Sequence, residues 1–412
     1  MQGGFFLCIF LLNDIISLEK SITAAALAAR KDHRMKDQLT FLATGDVGLY
    51  RDNFFEYFVN VRDYFRSADL VFGQLESVLS DRLELSSCTR MGCSSRPECL
   101  EAIKDAGFDV LSFASNHALD YGRTAFKDTL KYIREAGLYL TGAGENEEIA
   151  RQYPVIDVEG TKVAVLGYGS ILPQGFWAEE ARPGVNPARG ITAYVPVEHD
   201  QPGTPCRIYT FPHPDDLKRM QAQVKEARTK ADIVICSFHW GIHFKEAVIT
   251  DYERYYAHFA IDAGADLVIG HHQHILKPIE VYNGKVIFYG LGNFCMEEVM
   301  NFKRDQELKG QDMRTSKSHR EMTAISDAFK TTTRSFPMDS YLTMVAKAII
   351  KDKKIVGVSY LPAYLPVGSQ TYLCKPGDER FDEVVQYVNK ITAAMDLDPG
   401  IFKVEGDEVR II

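Results

Sequence analysis

The chain contains 412 residues, of which 46% are hydrophobic and 25% are charged, a composition typical of globular proteins. Its 47 lysines and arginines against 56 aspartates and glutamates give a formal net charge of −9, which argues against a general nucleic-acid-binding protein, since that would need a basic face. The sequence has no run of 18 or more apolar residues, and its eight cysteines are too few for a disulfide scaffold. We therefore expect a globular α/β protein of one large domain with extensions, or of two domains.

Residues 1–35 differ from the rest and are expected to form an N-terminal extension, either disordered or helical. The apolar run from Phe5 to Leu12 has no basic residue before it and is followed by Asp14, which is a weak match to a signal peptide. A secretory reading would use Ala26 to Ala28 as its cleavage site, whereas Met35 is an alternative start of the chain. The sequence leaves two alternatives for the location of the protein, the cytoplasm or association with a membrane.

From Lys36 onward, apolar strands alternate with helices. The first half predicts strands at Leu39–Ala43, Leu70–Phe72 and Val110–Ala114, and helices at Phe54–Ser67, at Arg96–Ala106 and up to about Ala136. Gly107 and Gly137 follow the last two helices as stop signals. Strand and helix in strict alternation indicate a layered or doubly wound α/β fold.

The second half continues the same alternation and closes with further strands. It predicts hairpins at Val155–Val158 with Lys162–Gly167 and at Pro278–Tyr282 with Lys285–Tyr289, strands at Ile233–Cys236, Leu267–Ile269, Tyr341–Ile350 and Lys354–Leu361, and helices at Asp215–Lys230, Asp251–Ala263 and Phe381–Met395. The stretch Ile171–Phe211 is rich in proline and glycine and is expected to be irregular.

The expected domain organisation is a main domain over 36–300, a polar insertion loop over 301–340, and strands and a helix over 341–412 that complete the same domain. Between Asn301 and Ser335 there are eight lysines and arginines and five aspartates and glutamates, a net of +3 in an acidic protein. We interpret the insertion as a solvated surface loop; the alternative is a lid or a docking strip for an anionic substrate.

Five predicted strands end in polar residues that can bind a metal or move a proton. These residues are Asp46, Glu76, the pair Asn116 and His117, His239, and the cluster of His271, His272 and His274. Ligands of α/β sheets bind beyond the carboxyl ends of the strands, so these side chains are expected to meet. One histidine after a strand would indicate little, but the joint pattern predicts a common site.

The residue types at these strand ends suggest the metal and the chemistry. Carboxylate, amide oxygen and imidazole together suit Mn, Fe or Zn better than Ca or Mg, and the set is large enough for one or two ions that share a carboxylate. Such ions polarise a phosphoryl or carbonyl oxygen and generate hydroxide near neutral pH. His117 could donate a proton to a leaving group, with Asp120 three residues later to orient it.

Several motifs together resemble one family. They are Gly45-Asp46-Val47, Gln74-Leu75-Glu76-Ser77, Ser115-Asn116-His117-Ala118-Leu119-Asp120-Tyr121-Gly122, His239-Trp240-Gly241, Gly270-His271-His272-Gln273-His274 and Tyr289-Gly290-Leu291-Gly292-Asn293-Phe294. In order and spacing this set is similar to the CapA family of capsule-synthesis or poly-γ-glutamate-biosynthesis proteins, across roughly Leu39 to Phe294. Any one motif alone would be weak, whereas the set is specific.

The resemblance implies a fold and a set of roles. The CapA family resembles the calcineurin-like metallophosphoesterases, which implies a four-layer α/β/β/α sandwich with a two-metal site. The ligands implied are Asp46, Glu76, Asn116, His239 and one or two of His271, His272 and His274, with His117 as the acid. The biological role of the family does not by itself imply a biochemical activity.

Three departures from the pattern bear on function more than on fold. The metallophosphoesterase pattern has a histidine two residues after its first aspartate, where this chain has Gly48, so one ligand is missing. The family usually has a glutamate before an aromatic after His-Trp-Gly, where this chain has His243 and Phe244. His243 thus replaces a carboxylate with a titratable base. Gln74 replaces an asparagine.

The function expected is metal-dependent hydrolysis of a phosphoester or of an acyl-linked polymer precursor in capsule or poly-γ-glutamate-type biosynthesis. One alternative is a non-catalytic accessory subunit that binds a membrane polymer synthase or the anionic polymer. A second alternative is an amidohydrolase-like activity on γ-linked peptides. No nucleic-acid partner is expected, and the oligomeric state is open. The spacing of Cys88, Cys93 and Cys99 does not suggest a zinc knuckle.

Overall fold

A computed structural model describes residues 37–87, 89, 92–198, 203–296, 336–366 and 370–412. The expected N-terminal extension over 1–35, with Met35, lies outside the described residues, as does the basic strip of the insertion up to residue 335. Among the residues that are described, no helix is long and apolar enough to cross a membrane.

The strands and helices alternate along the chain. The strands are β1 (Leu39–Gly48), β2 (Leu70–Leu75), β3 (Val78–Leu79), β4 (Ser94–Ser95), β5 (Val110–Ser112), β6 (Tyr139–Thr141), β7 (Ala143–Gly144), β8 (Val155–Val158), β9 (Thr161–Gly169), β10 (Gly184–Val185), β11 (Gly190–Pro196), β12 (Cys206–Pro212), β13 (Ile233–His239), β14 (Leu267–His271), β15 (Ile279–Tyr282), β16 (Lys285–Phe288), β17 (Asn293–Met296), β18 (Leu342–Lys351), β19 (Lys354–Tyr364), β20 (Tyr372–Leu373), β21 (Lys403–Glu405) and β22 (Glu408–Arg410). The α-helices are α1 (Arg62–Ser67), α2 (Cys99–Ala106), α3 (Gly122–Glu135), α4 (Glu147–Ala150), α5 (Pro214–Lys230), α6 (Asp251–Ala263) and α7 (Glu379–Ala393). Short 3₁₀ helices cover Phe54–Phe58 and Met338–Tyr341.

The first large sheet combines a parallel half with an antiparallel half. Its strand order is β21-β22-β19-β18-β1-β2-β5-β6, with β17 beside β1 and β20 beside β19. Strands β1, β2, β5 and β6 run parallel, and β17 runs parallel to the end of β1. Strands β18 and β19 are antiparallel and come from the C-terminal part of the chain, as the sequence predicts. The carboxyl ends of the parallel strands therefore meet at one edge.

The second large sheet is mainly parallel, with the order β15-β16-β14-β13-β9-β8. Strands β9, β13, β14 and β16 run parallel, and the edge strands β8 and β15 close the two hairpins that the sequence predicts. At the turn between β15 and β16, Asn283 and Gly284 both have positive φ, 50° and 71°, as the two-residue Asn-Gly turn requires.

Three hydrophobic clusters hold these elements together. The first contains residues of α1, α2 and α3 with residues of the first sheet, such as Phe65, Ile103 and Val71. The second contains residues of both sheets, such as Phe41 and Ile235. The third contains residues of α5 and α6 with the outer residues of the second sheet. The molecule is thus a mixed α/β protein in which helices and sheets share extended apolar contacts.

Several predicted elements differ from those observed. The predicted strand at Leu39–Ala43 continues to Gly48, because Asp46 and Val47 pair with β17, a strand from a distant part of the chain. The expected irregular stretch Ile171–Phe211 contains β10 and a ribbon of β11 and β12. Most residues of that ribbon are exposed, so no alternation of buried residues marks it. The predicted helix Phe54–Ser67 is divided at residues 59–61. The domain limits stay predictions.

Candidate metal centre

The candidate site residues lie where parallel strands of the two sheets end. Asp46 lies near the end of β1, and Glu76 directly follows β2. Asn116 and His117 follow β5, the next strand of the same sheet, and His239 is the last residue of β13. His271 ends β14, and His272 and His274 follow it. The first sheet therefore supplies the carboxylates and the amide, and the second supplies the imidazoles.

One group of possible ligands consists of Glu76, His239 and His272, whose ligand atoms all lie within 4.8 Å of one another. His239 Nε2 is the central atom, 3.5 Å from Glu76 Oε1 and 3.2 Å from His272 Nδ1. The Asn116 Oδ1 atom lies 2.7 Å from the same nitrogen. All four sequence-predicted residues of this group are therefore together.

A second group consists of Asp46, Glu76 and His274, again with ligand atoms within 4.8 Å of one another. His274 Nδ1 lies 3.6 Å from Asp46 Oδ2, and His274 Nε2 lies 3.7 Å from Glu76 Oε1. Asn293 Oδ1 is 2.8 Å from His274 Nδ1 and holds the ring in place. Because Glu76 belongs to both groups, the arrangement has the form of two ligand sets joined by one carboxylate.

The backbone of the loop after β14 gives these rings their positions. His272 and His274 both have positive φ, 97° and 57°, a conformation that non-glycine residues rarely adopt. The His272 amide donates a hydrogen bond of 3.1 Å to Asp46 Oδ2 and so joins this loop to β1. Strain of this kind persists only where the surroundings enforce it, and it is common at functional sites.

The polar atoms at the centre of the site fit a cation. Asp46 Oδ1, both Glu76 carboxylate oxygens and His239 Nδ1 are buried and have no hydrogen-bond partner in the part of the chain that the structure describes. A buried carboxylate without partners is unfavourable by several kcal/mol unless a positive charge or a donor faces it. The residues present therefore suit a divalent metal, by an observation independent of any motif.

Burial changes the protonation of these groups when no ion is bound. It raises the pKa of Asp46 to about 8, and burial together with the Asp46 charge raises the pKa of Glu76. Burial also lowers the pKa of His239, His272 and His274, and the neighbouring imidazoles lower it further. The imidazoles are therefore neutral, the form that binds metals.

His271 occupies a different position from its neighbours. Its Nε2 lies 3.0 Å from the carbonyl oxygen of Thr44 in β1, and its Nδ1 lies 3.4 Å from Ser237 Oγ in β13. Both ring nitrogens thus have partners away from the two ligand groups. Among the three clustered histidines, the structure brings His272 and His274 to the carboxylates and places His271 between the two sheets.

His117 and Asp120 form a pair beside the ligand groups. His117 Nδ1 lies 2.6 Å from Asp120 Oδ2, and the same oxygen accepts a 2.8 Å hydrogen bond from the Cys93 amide. Burial alone would lower the pKa of His117, but Cys93 and Asp120 outweigh it and raise that pKa well above its usual value. These two neighbours therefore favour the protonated form of His117.

His243 contacts the same cluster and is partly exposed. Its ring centroid is 3.9 Å from that of His272 and 5.3 Å from that of His274. Burial lowers the pKa of His243 to about 4, and its buried Nε2 has no partner within the described ranges. A neutral imidazole with an unused nitrogen can accept a proton or a hydrogen bond.

Two residues support the site without having been singled out for it in the sequence. Asn293 holds His274, and the Ser115 hydroxyl oxygen accepts a 3.0 Å hydrogen bond from the His117 amide. Both residues lie inside the motifs of the family resemblance, so their position in those motifs was the available signal. Nothing in the sequence separates them from other motif residues that only pack.

The chain is similar to several characterised and uncharacterised bacterial proteins. It is 33% identical over 259 residues to the PGA biosynthesis protein CapA of Bacillus subtilis, a match of 62% of this chain and 60% of that protein. It is 31% identical over 288 residues to the capsule biosynthesis protein CapA of Bacillus anthracis, covering 67% of this chain and 64% of that protein. The probable polyglutamine synthesis accessory protein Rv0574c of Mycobacterium tuberculosis matches at 32% over 210 residues, 50% of this chain and 49% of that protein. The chain thus spans less than two thirds of the length of these relatives.

Two solved structures align with much of the chain at low scores. A hypothetical protein from Thermus thermophilus aligns with a TM-score of 0.44 and 14% identity, over 80% of this chain and all of that one. The calcineurin-like phosphoesterase YfkN from Bacillus subtilis aligns with a TM-score of 0.40 and 13% identity, over 86% of this chain and 97% of that one. Likenesses at these scores say nothing about the site itself.

The family assignment comes from the sequence match over most of the described core. The bacterial capsule synthesis protein family PGA_cap matches residues 24–298, about two thirds of the chain. That range contains all the residues of both ligand groups, the His117–Asp120 pair and His243. The chain belongs to the bacterial capsule synthesis protein family PGA_cap.

Proposed function

We propose that this protein is a metal-dependent hydrolase of metallophosphoesterase type that acts in the synthesis of a capsule or poly-γ-glutamate-type polymer. The observation that carries the proposal is the set of buried, unpartnered carboxylate and imidazole atoms around Asp46, Glu76 and His239. The family and the names of its relatives support the polymer context. The substrate class proposed is a phosphoester or an acyl-linked polymer precursor.

The residues that would hold the metal are those of the two ligand groups, with Asn116 as a further oxygen donor. The ions proposed are Mn, Fe or Zn, one or two per chain, because the donor set mixes carboxylate, amide and imidazole. A divalent ion bound there would supply Lewis-acid and water-activating chemistry for hydrolysis. His271 is assigned a structural role, since both of its ring nitrogens have partners elsewhere.

The protein's own proton-handling groups lie beside the ligand groups. His117, whose protonated form Cys93 and Asp120 favour, would protonate the oxygen of the leaving group, while Asp120 fixes the orientation of its ring. His243 is neutral and partly exposed, and it would accept a hydrogen bond from the substrate or from the attacking water. The two histidines thus differ in charge, as an acid and an acceptor should.

For the fold we infer a four-layer α/β/β/α sandwich. The support is the membership of the three hydrophobic clusters, in which helices meet the first sheet, the two sheets meet each other, and other helices meet the second sheet. In such a sandwich the loops at the carboxyl ends of both sheets converge. This would explain how ligands from β1 and β13 reach one site.

The test is metal analysis of the purified chain and of Asp46→Ala and His274→Ala variants, after incubation with Mn²⁺, Fe²⁺ or Zn²⁺. We expect the parent chain to bind one to two equivalents of metal and to hydrolyse a model phosphodiester such as bis(p-nitrophenyl) phosphate. Both variants should lose metal and activity and keep the circular dichroism spectrum of the parent. Unchanged metal content in both variants would overturn the assignment.

The control is His258→Asn, in a histidine that pairs with Glu280 at 3.0 Å and stacks on Tyr282, apart from the ligand groups. This variant should retain metal and activity. A loss of metal in His258→Asn as large as in His274→Ala would show that the readout reports folding and not ligation.

A second candidate function is a non-catalytic accessory subunit that binds a membrane synthase or the anionic polymer. Gly48 favours it, because a ligand position of the metallophosphoesterase pattern has no side chain here. The name of the M. tuberculosis relative, a synthesis accessory protein, points the same way. A chain that binds metal but hydrolyses no model phosphoester with any of the three ions would favour this role.

A further inference from the structure

A tyrosine lies where the missing side chain of residue 48 would project. A Cβ atom added to Gly48 would be 2.6 Å from the hydroxyl oxygen of Tyr50 and 2.9 Å from its Cζ. The phenolic oxygen is thus at about the distance from that Cβ at which an imidazole Nδ1 would lie. Glycine at position 48 is therefore what makes room for this hydroxyl beside the end of β1.

The Tyr50 hydroxyl lies close to polar groups at the end of β1. Its oxygen is buried, and the Cys93 side chain is near enough to influence it although no contact meets the distance and angle criteria of a hydrogen bond within the described chain. Burial raises the pKa of the phenol well above its usual value, and the neighbouring Cys93 and Glu76 raise it further. Glu76 is the carboxylate shared by both ligand groups, and its two oxygens lack partners as well.

Comparison with another buried tyrosine shows what is specific here. The Tyr360 hydroxyl is also buried without a partner among the described residues, but burial is the sole cause of its raised pKa. Tyr360 belongs to the cluster between the sheets. A buried phenol is thus not unusual in this chain, whereas Tyr50 differs in projecting across Gly48 at the end of β1 and in responding to the charge of Glu76.

The local backbone fixes Tyr50 in this place. The Tyr50 and Arg51 amides both donate hydrogen bonds of 3.0 Å to the hydroxyl oxygen of Tyr57, a fully buried residue. The turn after β1 is therefore anchored, and the Tyr50 ring lies across Gly48. A side chain held in this way has little conformational entropy left to lose on binding an ion.

We propose that the Tyr50 phenolic oxygen is a metal ligand of this centre and takes the place of the side chain that Gly48 lacks. The inference rests on the metal site proposed above but not on any hydrolytic activity. On binding, the O–H bond of Tyr50 breaks, an oxygen–metal bond forms and the proton leaves to solvent, with no change in the oxidation state of the ion.

The probe is Fe³⁺, because a tyrosinate bound to ferric iron gives a visible charge-transfer absorption band that carboxylate and imidazole ligands do not. We expect the parent chain loaded with Fe³⁺ to be coloured. The Tyr50→Phe variant should lose the band and keep at least part of its iron. It should also bind Mn²⁺ about 10- to 100-fold more weakly by titration calorimetry, since loss of an outer-shell partner alone has an effect of that size.

Two further variants make the result specific. Gly48→Ala should displace the Tyr50 ring, since the added Cβ would approach it too closely, and should weaken or shift the band although the phenol is still present. Tyr360→Phe, the matched control, should keep the band at full intensity. If Tyr50→Phe kept an identical band, or if the parent chain bound iron without colour, Tyr50 would not be a ligand. The proposal of the metal site itself would be unaffected by either result. A parent chain that binds no metal would overturn both.

Discussion

At the scale of single residues, the site depends on which atoms are left without partners. Thr44 and Ser237 engage His271, whereas His272 and His274 direct their nitrogens to His239, Asp46 and Glu76. The difference between neighbouring histidines is therefore one of hydrogen bonding and not of residue type. The same reasoning assigns Asp120 to His117, because Asp120 Oδ2 accepts a hydrogen bond from the Cys93 amide and lies 2.6 Å from His117 Nδ1.

The Asp120→Asn variant should retain metal at the two ligand groups described above, because Asp120 belongs to neither of them but to a separate group with Cys93 and His117. It should lower kcat about 10- to 100-fold. The amide can keep the hydrogen-bond geometry, yet it removes the negative charge that stabilises protonated His117. The measurement compares kcat on an alkyl phosphodiester with kcat on a p-nitrophenyl phosphodiester. An alkoxide leaving group needs a proton from the acid, whereas p-nitrophenolate hardly does. The loss should be larger for the alkyl substrate.

The control for this variant is Asp128→Asn. Asp128 lies on α3, and its carboxylate accepts hydrogen bonds from Arg82 and Ser80. Activity on both substrates should be unchanged in that variant. If Asp120→Asn and the parent had equal kcat on the alkyl phosphodiester, the assignment of His117 as the acid would be wrong.

At the residue scale the sequence predicts much of this site and misses its finer assignments. Strand ends followed by Asp, Glu, Asn and His are visible in the sequence, and the structure brings these residues together. Which ring nitrogens are engaged is not visible, because the partners of His271 are a carbonyl oxygen and a hydroxyl from other strands. The sequence does not indicate Tyr50 as a candidate ligand for a similar reason, because the position of its ring depends on the space that Gly48 leaves.

At the scale of elements, the end of β1 is tightly constrained by its neighbours. Gly45 lies so close to the loop before β17 that an added Cβ would be 2.1 Å from the Gly292 carbonyl oxygen. The same carbonyl accepts a 3.0 Å hydrogen bond from the Asp46 amide. Asn293, the next residue after Gly292, holds His274, so this close approach positions Asp46 and His274, two members of the second ligand group.

The Gly45→Ala variant is therefore expected to separate β1 from β17, destabilise the protein by about 1–3 kcal/mol and reduce metal binding. Urea unfolding gives the first quantity and metal analysis gives the second. Gly357→Ala is the matched control in β19, because its added Cβ would meet no atom closer than 3.7 Å. Its stability should change by less than about 1 kcal/mol. Normal metal content in Gly45→Ala would contradict this account.

The elements that the sequence misses have a common cause. Strand β1 extends past Ala43 because of pairing with β17, which no local pattern reveals. The ribbon of β11 and β12 has exposed residues on most of its length, including Tyr194 and Ile208, so the hydrophobic period is absent. Helix α6 is predicted to the residue, and α5 and α7 to within about two residues at each end, because the apolar faces of these helices are local features of the sequence.

At the scale of the whole molecule, one buried cation affects stability. Lys277 is fully buried and donates a hydrogen bond to the Lys245 carbonyl oxygen in the loop that carries His243. Burial lowers its pKa from the usual 10.5 to about 8, although the Glu253 charge opposes this shift. The folded protein therefore releases this proton more readily than the unfolded chain does.

The sign of the pH effect follows from this difference. Between pH 8 and 10.5 the unfolded chain holds a proton that the folded protein has lost, so this lysine makes the free energy of unfolding rise with pH, by about 1 kcal/mol per pH unit. Urea unfolding between pH 7 and 9 measures it in the parent and in Lys277→Met, which should lack this contribution. Parallel pH profiles of the two proteins would contradict the prediction.

The arrangement of the ligands has a mechanical consequence. Asp46 and Glu76 belong to one sheet and His239, His272 and His274 to the other, while His271 and the His272 amide already join the two at β1. An ion bound by these residues would link the two sheets to each other. The two sheets contact each other through apolar side chains such as Phe41 and Ile235, which are not ligands. We therefore expect the affinity for an ion to depend on the packing between the sheets as well as on the ligand atoms.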